Sequence, residues 1–70
     1  MSETRYYDDR WQAIEAAQDL ASVVPPFHAV TYKSFRDFSG WKFEAVRTAE
    51  GRYKVSIFDD NDAWQRDWSG

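Results

Sequence analysis

Trp41-Lys42-Phe43-Glu44-Ala45-Val46-Arg47-Thr48, then Ala49-Glu50-Gly51, then Arg52-Tyr53-Lys54-Val55-Ser56-Ile57-Phe58 is the stretch that decides the fold. Both outer runs alternate with the period of a half-buried strand. The three residues between them suit a hairpin loop with Gly51 in the left-handed conformation. A loop of that length sets the register. Thr48 faces Arg52, and stepping outward pairs Arg47 with Tyr53, Ala45 with Val55, Phe43 with Ile57 and Trp41 with Asp59. One side of the ribbon then carries Trp41, Phe43, Ala45, Tyr53, Val55 and Ile57. The other carries Lys42, Glu44, Val46, Lys54, Ser56 and Phe58, with Lys42 beside Phe58 and Val46 beside Lys54.

An apolar ribbon face needs a cover, and the segment Asp8 to Val24 provides one. Trp11, Ile14, Ala17, Leu20, Ala21 and Val24 recur at spacings of three and four, the signature of an amphipathic helix. Asp8 or Asp9 is placed to cap its first amides, and Pro25-Pro26 forces the chain out of helical geometry. The outer face carries Arg10, Gln12, Glu15, Gln18, Asp19 and Ser22. Residues Phe27 to Phe35 alternate weakly and read as a third strand, while Ser34 to Ser39 fit either a helical turn or a bulged loop. Beyond the hairpin, Asp59-Asp60-Asn61-Asp62 has the composition of a helix start, and Trp64 and Trp68 follow at an i, i+4 spacing. The predicted architecture is a single α+β domain over residues 1–70. An N-terminal amphipathic helix packs on a three-stranded antiparallel β-sheet (α-β-β-β), with a short C-terminal helix.

At 70 residues, one core buries only about 60% of the surface that the unfolded chain exposes. Cysteine is absent and His28 is the single histidine, so neither a disulfide framework nor a four-ligand Cys/His zinc site can supplement it. The aliphatic inventory is thin and 19% of residues are aromatic, so rings must build much of the core and some must stay outside it. Surplus rings mark interaction surfaces. No signal-peptide or membrane-spanning run is evident, and a cytoplasmic protein without membrane association is expected.

Charge is segregated along the chain. Residues 1–26 carry two cations against five acids, 59–70 one against four, and 27–58 six against three. Acidic ends flank a basic middle, an arrangement that attracts complementary surfaces.

No catalytic set is legible: nothing resembles a nucleophile elbow around any serine, and a lone strand histidine is ordinarily a packed or solvated side chain. The run Asp59-Asp60-Asn61-Asp62 lacks the glycine and the distal glutamate of a calcium loop. Three scattered glycines form no phosphate cradle. No enzyme activity, metal or cofactor is expected.

The order α-β-β-β-α over some 70 residues is similar to that of the double-stranded RNA-binding domain in topology and length alone. That family grips phosphates with a lysine-rich start to its second helix, whereas Asp60-Asn61-Asp62-Ala63-Trp64 here would repel them.

The reading that follows is a protein-binding module, an inhibitor or adaptor of the kind made by phages and mobile elements, for instance in anti-defence. It would block a nucleic-acid-handling partner with a basic groove. Its partner-binding residues are Asp8, Asp9, Glu15, Asp19, Asp59, Asp60 and Asp62, with Trp64 and Trp68, or Tyr6 and Tyr7, as anchoring rings. Two alternatives stand beside it. One is single-stranded nucleic-acid binding by Trp41, Phe43, Lys42 and Lys54 on a basic, aromatic sheet. The other is a self-associating structural protein that forms a homodimer through edge strands or Trp-rich faces.

Overall fold

The hairpin forms as its alternation and loop dictate. Strand β3 (Lys42–Arg47) pairs antiparallel with β4 (Tyr53–Phe58), and each partner from Lys42↔Phe58 through Phe43↔Ile57 and Ala45↔Val55 to Arg47↔Tyr53 falls as the loop length requires. Gly51 has φ +83°, and the Thr48 and Gly51 amides close the turn on Arg52 and Thr48 carbonyls at 2.7 and 3.0 Å. The computed structural model describes residues 3–23 and 28–70. Val24, Pro25-Pro26 and Phe27, with the helix stop assigned to the prolines, lie outside them.

Helix α1 (Arg10–Ala21) lies across the apolar face of this ribbon. Its buried side is Ala13, Ile14, Ala17 and Ala21, packed with Phe35, Phe43, Ala45, Val55 and Ile57. Alanines four apart form a flat ridge that lets the helix backbone approach the sheet closely. The buried stripe is therefore rotated from the expected one. Leu20 lies at the margin of the core, and Trp11, too large for the close contact, is 52% exposed. The anticipated cap is also absent: Asp9 occupies the N-cap position, but its side chain makes no capping hydrogen bond. Ser22, at φ 58°, ends the helix by returning its amide to the Gln18 and Asp19 carbonyls.

The sheet is five-stranded, not three-stranded, in the order β1-β2-β3-β4-β5, every neighbour antiparallel. Two corrections produce the extra strands. The segment read as one strand up to Phe35 is a hairpin, β1 (Ala29–Thr31) and β2 (Ser34–Arg36), bent at Tyr32-Lys33. The Thr31 hydroxyl accepts the Lys33 amide at 3.2 Å and lies 2.8 Å from the Ser34 hydroxyl, so side chains stabilise a turn without glycine. Residues 34–39 are thus strand and then turn, not helix.

The second correction lies at the C-terminal end, where Trp64–Asp67 is strand β5 and no helix forms. Asp59 explains why. Its carboxylate accepts the Asn61 and Ala63 amides, each at 2.9 Å, and Asp62 adopts φ 62°, which closes a turn and blocks a helical start. Asp37 closes the β2–β3 turn in the same way, accepting the Ser39 and Trp41 amides at 2.9 and 3.0 Å. The two turns abut: a Cβ on Gly40 would stand 3.2 Å from Asp60 Cβ. With five strands and no terminal helix, the topological likeness to the double-stranded RNA-binding domain ends.

The outer edge of β4 is covered along its length. Strand β5 pairs with Ser56 to Phe58, the Trp68 amide reaches the Val55 carbonyl at 2.8 Å, and Tyr7 bridges Tyr53. Among the described residues, no helix is long and apolar enough to cross a membrane.

Candidate functional site

The sheet separates the residues expected to act together. Asp8, Asp9, Glu15 and Asp19 are exposed before and along α1, on the helix side. Asp62 and Trp64 serve the opposite face, through Arg36 and Lys42 in one case and beside Phe58 in the other. Trp64 and Trp68 are split as well. An irregularity in the β4–β5 register places both Trp64, opposite Phe58, and Asp67, opposite Ser56, on the uncovered face. Trp68 then turns to the core and is half-buried there, while Trp64 remains 58% exposed. A spacing of four thus fails to keep the two rings together. Of the paired tyrosines, Tyr6 is exposed under the Arg52 guanidinium, whereas Tyr7 packs against the core.

Asp59 and Asp62 of the β4–β5 turn are already engaged, whereas Asp60 is exposed and forms no ion pair among the described residues. The hydrogen bond from the Ala63 amide, with those from the Asn61 amide and the Gln65 side chain, holds the Asp59 carboxyl below the usual range against the opposing effect of desolvation. Asp62 lies 2.8 Å from Arg36 and 3.8 Å from Lys42. On the helix side Asp8 is 3.8 Å from Arg52, in an exposed pair that holds little energy. Asp9, Glu15 and Asp19 form no ion pair among the described residues.

The uncovered sheet face is a self-neutralised layer. Ser34, Glu44, Ser56 and Asp67 form one cross-strand row, and Arg36, Lys42, Phe58 and Trp64 the next. Lys54 donates to Asp67 at 2.8 Å, Ser56 donates to it at 2.9 Å, and the Trp64 indole donates at 3.1 Å. Burial would raise the Asp67 carboxyl, but hydrogen bonds from Lys54, Trp64 and Ser56 outweigh it and hold the pKa below the ordinary value. Lys42 lies 3.7 Å from Glu44 and sits over the Phe58 ring at 4.7 Å. The cations that a nucleic acid would need here already have partners. Of the two proposed stacking rings, Phe43 is in the core and Trp41 is exposed. His28, with φ 63°, packs edge-on against Phe38 at 5.0 Å.

Three of the five cations without a carboxylate partner among the described residues meet elsewhere, in a place sequence reasoning missed. Arg10 at the start of α1, Lys33 in the β1–β2 turn and Arg47 at the end of β3 line one open cleft of about 240 Å³, together with Ala45, Tyr32 and Tyr53. None of the three has a carboxylate partner among the described residues. The Arg10 guanidinium lies over the Trp11 ring at 5.1 Å, and Trp11 meets Tyr32 at 6.4 Å, which makes an aromatic rim. Only the position of Arg47 beside Tyr53 was recoverable from the hairpin register. Comparison with protein families, with curated proteins and with solved structures gives no match to this chain.

Proposed function

We propose that the chain is a small non-catalytic binding module, an inhibitor or adaptor, that presents the acidic outward ridge of α1 to a basic surface on a protein partner. The observation that carries this reading is the free state of Asp9, Glu15 and Asp19. On a helix, four residues advance about 6 Å, so Glu15 and Asp19 stand as neighbouring charges on one rigid rod. Trp11, half out of the surface beside them, supplies an anchoring ring of the kind that concentrates interface energy. A groove that normally holds nucleic acid has the complementary charge, so a nucleic-acid-handling protein is the partner class favoured. Asp59 and Asp62 are engaged by their own turn and by Arg36 and Lys42, so they add nothing to this surface.

The test is comparative capture. Tagged wild-type chain should retain a stoichiometric protein from host lysate at about 50 mM salt and release it as salt rises, since exposed charge pairs are screened. The combined Asp9→Asn, Glu15→Gln, Asp19→Asn variant should retain none of it while unfolding at the wild-type temperature. Equal retention by both proteins would refute the ridge as the binding surface.

A further inference from the structure

We propose that the cleft between the start of α1, the β1–β2 turn and the end of β3 is a phosphate site for a small phosphorylated aromatic molecule, with a nucleoside monophosphate as the matching chemistry. It meets the helix ridge at Trp11 but uses none of the ridge carboxylates and does not depend on their binding a partner.

Three observations converge. First, Arg10, Lys33 and Arg47 come from three different elements yet line one cavity, in a chain of net charge −3. Arg36, Lys42, Arg52 and Lys54 all have carboxylates within 4 Å; of the five cations that have none among the described residues, these three line the cleft, and Arg5 and Arg66 do not. Gathering like charges without a counter-charge opposes folding, and a bound dianion relieves that repulsion. Guanidinium and ammonium are also the side-chain groups that suit phosphate oxygens.

Second, the supports are fixed. Lys33 sits in a turn whose carbonyl accepts the Ala45 amide at 2.9 Å, and Arg47 lies in register with Tyr53 on the best-paired strands of the sheet. Third, about 240 Å³ falls below the range of roughly 300 Å³ upward that encloses a larger ligand. A phosphate and the first atoms attached to it fit within, leaving a planar group at the mouth. There the exposed Tyr32, with Trp11 behind it, offers a face on which a base can stack.

The experiment titrates the isotope-labelled full chain with inorganic phosphate, adenosine and AMP at about 20 mM salt, reading amide shifts. AMP should give saturable shifts around Arg10, Lys33 and Arg47. Phosphate should move the same amides with lower affinity, and adenosine should move none of them at equal concentration. Stacking of about 1–3 kcal/mol per base at 1.4 kcal/mol per tenfold makes AMP roughly 5- to 140-fold tighter than phosphate. Arg47→Gln and Lys33→Gln should each weaken AMP about tenfold or more, and Trp11→Ala should weaken AMP but not phosphate. Arg66→Gln, which removes an exposed arginine on β5, should leave both unchanged. A 5′-phosphorylated trinucleotide that binds more tightly than AMP assigns the phosphate to a strand end. One that binds no better assigns it to a free nucleotide, and the site stands in either case. The proposal fails if AMP produces no saturable shift at millimolar concentration, or if Arg66→Gln weakens binding as much as Arg47→Gln. It fails equally if the cleft amides respond instead to protein concentration in a salt-dependent manner, which would make a second copy's acids the occupant.

Discussion

Replacing Ala17 by leucine tests the contact on which the whole architecture rests. Ala17 is 0% exposed at the centre of the Ala13, Ala17, Ala21 ridge, where α1 lies against β2, β3 and β4. Leucine and alanine are both good helix formers, so the substitution leaves local propensity nearly unchanged. It adds three carbons to a site with no room for them. Overpacking of a closed core costs about 1–3 kcal/mol, and in a domain of this size each kcal/mol lowers the melting temperature by about 4–8 °C. Thermal unfolding followed by circular dichroism should therefore place Ala17→Leu about 4–24 °C below wild type. Ala16, one position on and only half-buried, is the control, and Ala16→Leu should melt within a few degrees of wild type. If Ala17→Leu proves as stable as wild type, the helix does not approach the sheet closely and the exposure of Trp11 needs another cause.

Four further outcomes follow from the same packing. Asp67→Asn leaves one oxygen to accept from Ser56 and Trp64 but removes the charge and sets an NH2 donor against the Lys54 ammonium, and should cost about 1–3 kcal/mol in urea unfolding at pH 7. Asp59 and Asp67 are both held below the ordinary carboxyl pKa, so the unfolded chain takes up protons first as pH falls. Their contribution is complete above the unfolded value of about 4 and disappears as pH drops through the folded values, so urea midpoints should hold between pH 7 and 5 and decline under about pH 4; the double Asp59→Asn, Asp67→Asn variant should show a shallower decline. Gly51→Ala, at φ +83°, should lose about 1–2 kcal/mol because a Cβ is strained in that conformation. Glu15→Gln with Asp19→Asn, both exposed, should shift stability by no more than about 0.5 kcal/mol, which a calorimetric scan can verify before any binding assay.

The elements differ in legibility for identifiable reasons. The β3–β4 register was readable because a three-residue loop ending in glycine and strict alternation on both sides agree with one another. The β1–β2 hairpin was hidden because Tyr32-Lys33 bends without glycine, proline or asparagine. Among the described non-glycine residues positive φ occurs at Ser22, His28 and Asp62 alone, and the bend relies on hydroxyls of Thr31 and Ser34 that also suit a continuous strand. Strand β5 was misread because acids and asparagine favour turns as well as helix starts. A four-residue spacing likewise fits a strand face as well as a helix face. Rotation of the helix stripe toward the alanines was invisible to a rule that ranks residues by hydrophobicity, since the closeness of packing, not the apolar area per side chain, decided which face turned inward.

The charges carry the same lesson further, because sequence position predicts which charges exist but not which survive as free. The basic middle segment looked like a cationic sheet, yet Asp62 and Asp67 from the acidic end fold back onto Arg36, Lys42 and Lys54, and Asp8 from the other end approaches Arg52. Folding thus cancels most of the segregation that the chain displays when read linearly. Two groups of unpaired charge stand together on the helix side: the carboxylates of the α1 ridge and the Arg10, Lys33 and Arg47 cleft at its beginning. Such residual charge opposes stability without a ligand, and a small domain with no disulfide to offset it has little margin for charge that serves nothing. Binding is accordingly to be sought first on the helix side of the molecule, not on the open sheet whose composition first suggested it.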